Sequence, residues 1–280
     1  MGYHKAMKRL ILLLTLCSAS YAQAIPDWRW ESNFTKSETA GLKSWIMHAE
    51  RGLTGLFGAL PYQYRVYFHR KTDANDPVPW AQTWKQHGRE VHFHVDTTHT
   101  WQTFMEDWTA PHELSHLMFP YLGDSGRWFA EGIASYLQYQ IMYANNTIDW
   151  PEGIARYKDR FRHARSQGLE ELSIVDLSLV VSRHRAYVRL YWGGAAYFMQ
   201  ADKRLYEEKG MRLTDVLRKY IHCCYQGRGA SVNTMIKTFD QISKSKIFTE
   251  TYSSTVTQAD FPETREALAW LSQHPPTLLQ

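Results

Sequence analysis

The chain has 280 residues, of which 44% are hydrophobic and 14% aromatic. This length predicts one compact domain or two small ones, and the apolar content is enough to bury a sizeable core. The composition excludes a disordered tail, a coiled coil and a collagen-like rod. Three of the 32 basic residues lie in the first 24 residues, which contain no acid, and the remainder holds 29 basic against 28 acidic residues. We therefore expect no nucleic-acid partner, despite the formal net charge of +4.

The first 24 residues have the pattern of a secretory signal peptide. Three basic residues open this segment, an apolar run follows at 10–17, and an A-x-A cleavage pattern ends at Ala24. A membrane anchor would need about 20 apolar residues, so this run is too short to span a bilayer. The sequence therefore predicts cleavage before Ile25, a secreted or periplasmic location, and no stable membrane span in the mature protein.

Two adjacent cysteines, Cys223 and Cys224, are the only ones that follow the signal segment. Neighbouring cysteines rarely bridge each other, because the small ring strains both the peptide and the disulfide. The sequence therefore excludes a disulfide scaffold and favours two buried thiols. A strained redox pair and an intermolecular bridge are the alternatives.

The first half of the mature chain predicts one helix and several strands. Apolar residues recur at helical spacing over Glu38–Leu60, with Ser37 as a plausible N-cap. A strand is predicted over Tyr64–His69, and a hairpin is predicted from Trp80–Lys85 and Glu90–Asp96.

The second hairpin strand alternates between apolar residues and histidines. Val91, Phe93 and Val95 are expected on one face, with His92 and His94 on the other. An H-x-H pair on a strand can bind metal, but we interpret these histidines as the polar face of a half-exposed strand.

The second half of the chain is predicted to be helical. The predicted helices are Thr109–Phe119, Arg127–Tyr143, Pro151–Ser166, Tyr187–Lys209, Leu213–Tyr225, Val232–Ile242 and Glu263–Gln273. Strands followed by helices indicate an α+β fold. We expect a single domain over 25–280, with a small sheet packed on one helix in a lobe of about 25–120 and a mostly helical lobe of about 121–280.

A metal-binding motif lies in the first of these helices. Residues 112–116 read His-Glu-Leu-Ser-His, and residues four apart share one face of a helix. His112 and His116 can therefore bind one metal ion, and imidazole nitrogen suits zinc. Glu113 lies beside that face and can accept a proton from a zinc-bound water, which makes a nucleophile for carbonyl attack.

A third metal ligand is expected downstream, because catalytic zinc usually has three protein ligands and one open position. Glu131 lies in an apolar helical stretch that reads WFAEGIASY. A carboxylate in such surroundings is costly unless it is paired or bound to metal. The turn residues at 120–126 allow this second helix to fold back on the first.

This pattern resembles the gluzincin metallopeptidases of the MA clan, whose two-histidine helix is followed by a helix reading W-x-x-E-G-x-A-x-Y. It is most similar to peptidase MA-like proteins and more distantly similar to glycyl aminopeptidases and aminopeptidase N. The resemblance covers the order of elements in the mature chain, with specific motifs at Pro111–Tyr136 and around Tyr191. It implies a thermolysin-like zincin fold, a peptide or protein substrate, and zinc held by His112, His116 and Glu131.

The resemblance also implies roles for residues outside the metal ligands. Glu113 would be the general base, and Ser135 would be a second-shell partner of the first histidine. Tyr191, in a Y-x-x-G context, would donate to the developing oxyanion, with Tyr187 and His184 as the substitutes for that role.

The sequence departs from the large aminopeptidases in two places. The interval from His116 to Glu131 is about one helical turn shorter, and the G-x-M-E-N strand, whose acid holds the substrate amine, is missing. The corresponding strand, Trp80–Trp84, has no acid. A secreted zinc metallopeptidase is therefore the leading hypothesis. An aminopeptidase or other zinc hydrolase acting on small peptide-like substrates, and a non-catalytic binding module, are the alternatives.

Overall fold

The computed structural model describes residues 26–85, 88–225 and 230–279. The predicted signal peptide and its cleavage point lie outside these residues. The described chain forms a small sheet followed by a mostly helical region, which confirms the predicted α+β fold class.

Four strands form one mixed sheet in the first part of the chain. They are β1 (Asp27–Trp30), β2 (Arg65–Arg70), β3 (Trp80–Trp84) and β4 (Glu90–Val95). The spatial order is β1-β2-β4-β3. The strands β1, β2 and β4 run parallel, whereas β3 pairs antiparallel with β4 at one edge. The hairpin prediction is confirmed, and β1 is an additional strand that the sequence did not predict.

The two faces of β4 differ as the alternation predicts, but the strand is not half-exposed, because five of its six residues, His92 among them, are buried. Val91, Phe93 and Val95 are fully buried in the core. His92 and His94 lie on the opposite face, where His69 Nε2 is 3.0 Å from His92 Nδ1, the Tyr67 ring stacks on His92 and the Trp80 ring stacks on His94. Aromatic stacking thus covers part of this face of the sheet.

Helix α1 (Lys36–Phe57) packs its apolar face on the sheet and on the helical region. It begins two residues earlier than Glu38, and its N-cap is Thr35 instead of Ser37. Thr35 Oγ1 accepts from the backbone N–H of Glu38, and the Glu38 carboxylate accepts from the backbone N–H of Thr35. This reciprocal capping box satisfies two N–H groups at the helix start, which a cap at Ser37 would leave unpaired.

Ten further helices follow in the described residues. They are α2 (Trp101–Glu106), α3 (Thr109–His116), α4 (Arg127–Ala144), α5 (Trp150–Arg165), α6 (Ile174–His184), α7 (Tyr187–Lys209), α8 (Leu213–Cys223), α9 (Val232–Ser243), α10 (Ile247–Ser254) and α11 (Arg265–Gln273). All seven predicted helices of this half are confirmed, most with ends that differ by one to three residues. The short helices α2, α6 and α10 were not predicted.

The helices α4 and α7 pack against each other with unusually close backbones. A Cβ atom at Gly132 would lie 2.5 Å from the backbone of Gly194, and one at Gly194 would lie 2.1 Å from the carbonyl oxygen of Trp128. These two glycines therefore set the separation of the helices that carry Glu131 and Tyr191.

The expectation of two buried thiols is wrong. Cys223 and Cys224 are bonded to each other, and Cys223 is exposed. In a continuing helix, consecutive side chains would point about 100° apart. Cys224, however, follows the last residue of α8 and has left the helical conformation, with φ −138° and ψ 12°. This break in the helix allows the two neighbouring sulfur atoms to meet.

None of the helices in the described ranges is long and apolar enough to cross a membrane.

Candidate metal centre and active site

Helix α3 carries the His-Glu-Leu-Ser-His motif and is buried along its whole length. It lies between the edge strand β3 and helix α4. Because residues four apart share a helix face, the two histidine side chains converge, and their Nε2 atoms are 3.3 Å apart. Both imidazoles are buried.

Glu131 reaches the same point from helix α4. Its Oε2 atom lies 3.1 Å from His112 Nε2 and 3.5 Å from His116 Nε2. The three donor atoms thus form a triangle with edges of 3.1–3.5 Å. Tetrahedral zinc with bonds of about 2.0–2.1 Å requires ligand atoms about 3.3 Å apart. Two imidazoles and one carboxylate at this spacing fit a catalytic zinc ion.

The Glu113 carboxylate lies next to this triangle. One of its oxygen atoms is within 4.8 Å of a ring nitrogen of each histidine. Thr83 of β3 donates to Glu113 Oε2 at 2.8 Å and also lies 3.0 Å from the Glu113 carbonyl oxygen. Glu131 Oε2 lies 3.1 Å and 3.5 Å from the Nε2 atoms of the two histidines. Glu131 therefore fits the third ligand position, and Glu113 fits the position beside it.

A residue that the sequence analysis missed orients the first histidine. Gln138 Oε1 lies 3.0 Å from His112 Nδ1, and both groups are buried. Ser135 is also buried on α4, but Gln138 is the residue whose side chain bonds to His112. The signal was present in the sequence, because Gln138 lies seven residues after Glu131 and therefore on the same helix face. A supporting role for Ser135 stays a prediction.

The electrostatics favour an ionised Glu131. Burial alone would raise the pKa of this carboxyl, but the charge and hydrogen bonds of His116 and His112 outweigh it and lower the pKa well below its usual range. Burial alone would lower the pKa of His112. The hydrogen bond and charge of Glu131 outweigh burial and raise the pKa of this imidazole. A carboxylate that stays ionised among imidazoles is the donor set that a divalent cation requires.

Tyr191 of α7 lies in the same cavity as the metal centre. Its ring is stacked near that of His112, with 6.2 Å between centroids. Burial raises the pKa of the Tyr191 phenol far above neutral pH, so the hydroxyl keeps its proton and can donate it. Neither Tyr187 nor His184 is among the described residues that line this cavity. The geometry therefore favours Tyr191 over its two substitutes, and its catalytic role stays a prediction.

The cavity has a volume of about 450 Å³ and contains the candidate metal site. Helices α3, α4 and α7 form its floor, and the edge strand β3 forms one wall. Beyond the predicted residues, it is lined by Lys85, which directly follows β3, and by Asp124 and Arg127, which form an ion pair. Sequence reasoning did not select Lys85, because no motif surrounds it.

Comparison with known proteins gives structural likenesses without sequence matches. No protein-family model and no curated protein sequence matches the chain. Among solved structures, it is similar to an aminopeptidase N family protein from Idiomarina loihiensis, with a TM-score of 0.63 and 15% identity over 85% of this chain and 46% of the other.

Two structures of a mutant M1 zinc metallopeptidase from Deinococcus radiodurans are also similar. One is bound to a Tyr-Ser-Ala substrate and has a TM-score of 0.47, 16% identity and coverage of 84% of this chain and 48% of the other. The second has a TM-score of 0.49, 15% identity and coverage of 86% and 53%. The chain thus spans about half the length of the solved structures it matches. Its fold is similar to that of the aminopeptidase N family protein, in agreement with the fold expected from the resemblance to gluzincins.

Proposed function

We propose that this protein is a zinc metallopeptidase that hydrolyses peptide bonds with water. The observation that carries the proposal is the convergence of His112, His116 and Glu131 at 3.1–3.5 Å on the floor of a cavity that also contains Glu113 and Tyr191. The aminopeptidase N-type fold supports the same reaction class.

The metal ligands would be His112, His116 and Glu131. Zinc held in this way supplies a Lewis acid that polarises a substrate carbonyl and acidifies water. The buried hydrogen bond that His112 Nδ1–H donates to Gln138 Oε1 fixes the orientation of the His112 ring, as is usual for metal-binding imidazoles.

Two groups of the chain would act on the reacting atoms. Glu113 takes a proton from the attacking water and can return it to the leaving amine, while Thr83 holds one of its carboxylate oxygens. Tyr191 donates its phenolic proton in a hydrogen bond to the oxygen that becomes negative as the carbonyl is attacked.

The central experiment combines metal analysis with peptide-library cleavage by the protein lacking residues 1–24. We expect one zinc ion per chain, cleavage of peptides, loss of cleavage with a chelator and recovery with added zinc. The Glu113→Gln variant is the matched control, because it should keep zinc and lose nearly all turnover. Zinc-loaded protein that cleaves no peptide would overturn the proposal and favour a binding module of the same fold.

An aminopeptidase is the second candidate, because the solved structure of the same fold belongs to the aminopeptidase N family. Strand β3 argues for the wider peptidase function, since the sequence Trp-Ala-Gln-Thr-Trp contains no acid to hold a substrate amine. Cleavage of N-acetylated and free-amine versions of one peptide separates the two activities. Turnover restricted to the free-amine peptide would establish the aminopeptidase.

We also propose that the enzyme acts outside the cytoplasm, on the basis of the signal-peptide pattern in residues 1–24. Expression of the full-length chain followed by fractionation and N-terminal sequencing tests this. The expected product is exported and begins at Ile25. A cytoplasmic product that retains the first 24 residues would contradict export.

A further inference from the structure

Lys85 is a cation in the catalytic cavity that the mechanism proposed above does not use. It follows the last residue of β3 and is half-buried. It lines the same cavity as Glu113 and Glu131. Thr83 and Lys85 are two residues apart, so an extended backbone directs both side chains to the same side, and Thr83 contacts Glu113.

The other charges that line the cavity already have partners. Arg127 is paired with Asp124, Glu113 accepts from Thr83, and Glu131 lies against the two imidazoles. Lys85, in contrast, forms no ion pair with any residue that the structure describes. The two internal segments outside the description, 86–87 and 226–229, contain no acidic residue.

The surroundings make an unpaired ammonium unfavourable. Burial first, and then the charge of Arg89, lower the pKa of Lys85 to about 7, although Glu131 and Glu113 act to raise it. With zinc bound, the two glutamates would balance the charge of the metal ion. The ammonium form of Lys85 would then lack a partner in the cavity, and an anionic group of the ligand would supply one and favour its protonation.

We propose that Lys85 is a specificity-determining residue that binds a carboxylate of the substrate close to the cleaved bond. This inference rests on the proposed peptidase function and defines its substrate class. The carboxylate belongs either to an acidic side chain or to the C-terminus of the peptide. The acids among the described residues of this cavity are Glu113, Asp124 and Glu131, and each is already engaged by Thr83, Arg127 or the two imidazoles, so a free N-terminal amine is not the group this site recognises.

The test is a set of matched peptides cleaved by the zinc-loaded protein. All are N-acetylated versions of one cleavable sequence, with Glu or Gln at each position around the cleaved bond and with a free or amidated C-terminus. We expect a carboxylate at one position to raise kcat/KM about tenfold or more over its neutral counterpart, the size of a charge-assisted hydrogen bond. The Glu/Gln pairs and the acid/amide pairs separate the two sources of the carboxylate.

Variants then assign the preference to one side chain. Lys85→Met should bring the ratio of kcat/KM values for carboxylate and neutral peptides close to one. Lys85→Arg should keep most of the preference for the carboxylate peptide. Lys85→Glu should reverse the preference in favour of a peptide with a basic side chain. Arg127→Met is the control, since Arg127 lines the same cavity but is paired with Asp124, and it should preserve the ratio. Zinc content and thermal unfolding show whether each variant is folded.

The outcomes for the two proposals are separable. If the wild type cleaves neutral peptides as well as acidic ones, or if Lys85→Met retains the full preference, the carboxylate site is refuted while the peptidase function stands. If no peptide is cleaved, the peptidase function fails. Calorimetric binding of a Glu/Gln peptide pair to zinc-loaded Glu113→Gln protein then tests Lys85 alone, and equal affinities would refute the site.

Discussion

The Nδ1 atom of His112 and the Oε1 atom of Gln138 are 3.0 Å apart in the buried contact between helices α3 and α4. An amide oxygen can only accept, so His112 carries its proton on Nδ1 and leaves Nε2 free as a metal ligand. This Nε2 atom is the one that faces Glu131 and His116. One hydrogen bond therefore fixes both the tautomer and the direction of the ring.

We predict that Gln138→Leu weakens zinc binding by about 10–100-fold, since loss of a side chain that hydrogen-bonds to a metal-binding histidine has this effect in other sites. Gln140→Leu is a suitable control, because Gln140 is a buried glutamine on the same helix that bonds to a backbone carbonyl instead. The measurement is competition with a zinc chelator of known affinity. An unchanged zinc affinity in Gln138→Leu would refute this role of Gln138. A loss of zinc affinity in Ser135→Ala would then assign the supporting role to Ser135.

Local patterns were sufficient to predict most of the architecture. Helical periodicity located α1, α4 and α7 to within a few residues, and the four-residue spacing of His112 and His116 predicted their convergence. These features depend on the 3.6-residue repeat of the helix, which can be recognised from the sequence of a single element. Among the elements that were missed, the four-residue strand β1 is too short to show a periodic signal and is defined by its pairing with β2.

Features that depend on contacts between distant parts of the chain could not be predicted. Thr83 meets Glu113, 30 residues later, because β3 pairs antiparallel with β4 and so lies against α3. Lys85 reaches the cavity for the same reason. The Cys223–Cys224 bond was missed because it depends on the conformation at the end of α8, which the helix pattern does not define.

Tyr191→Phe should lower kcat about 10²–10³-fold, the usual cost of one oxyanion donor. The change in KM should be smaller, because the donor acts on charge that develops in the transition state. Zinc content should stay at one ion per chain. Tyr187→Phe provides the comparison, since Tyr187 is 38% exposed and its hydroxyl bonds to Ser182. If the kcat of Tyr191→Phe equals that of the wild type, the role passes to Tyr187 or His184.

Gly132→Ala should destabilise the protein by about 1–3 kcal/mol and should also weaken zinc binding. The new methyl group would lie 2.5 Å from the Gly194 backbone, so α4 and α7 must move apart. Gly132 directly follows Glu131, and this movement would displace the proposed third metal ligand. Urea unfolding and chelator competition measure the two effects.

The matched control for this change is Gly55→Ala in helix α1. A Cβ atom at Gly55 would meet nothing within 4 Å, so the substitution should stabilise the helix by about 0.5–1 kcal/mol and leave zinc affinity unchanged. Comparable destabilisation by both substitutions would show that close packing at Gly132 is not the cause.

The buried carboxyl of Glu50 makes the stability of the fold depend on pH. Glu50 lies in α1 and is 3% exposed, and its Oε1 atom has no hydrogen-bond partner among the described residues. Burial raises the pKa of Glu50 from 4.5 to about 7, and the Tyr64 hydroxyl only partly opposes this. The unfolded chain therefore releases this proton at a lower pH than the folded chain does. The contribution of Glu50 to folding is greatest below about pH 4.5 and declines as the pH rises to about 7.

We predict that Glu50→Gln removes this decline. The difference in unfolding free energy between variant and wild type should increase between pH 5 and pH 8, by up to about 3 kcal/mol in favour of the variant. Urea unfolding at pH 5, 6, 7 and 8 measures the difference, and groups common to both proteins cancel in it. Glu106→Gln, at the exposed end of α2, is the matched control for the same chemical change at the surface. A Glu50→Gln curve parallel to the wild type across this range would mean that Glu50 is ionised in the folded protein at pH 5.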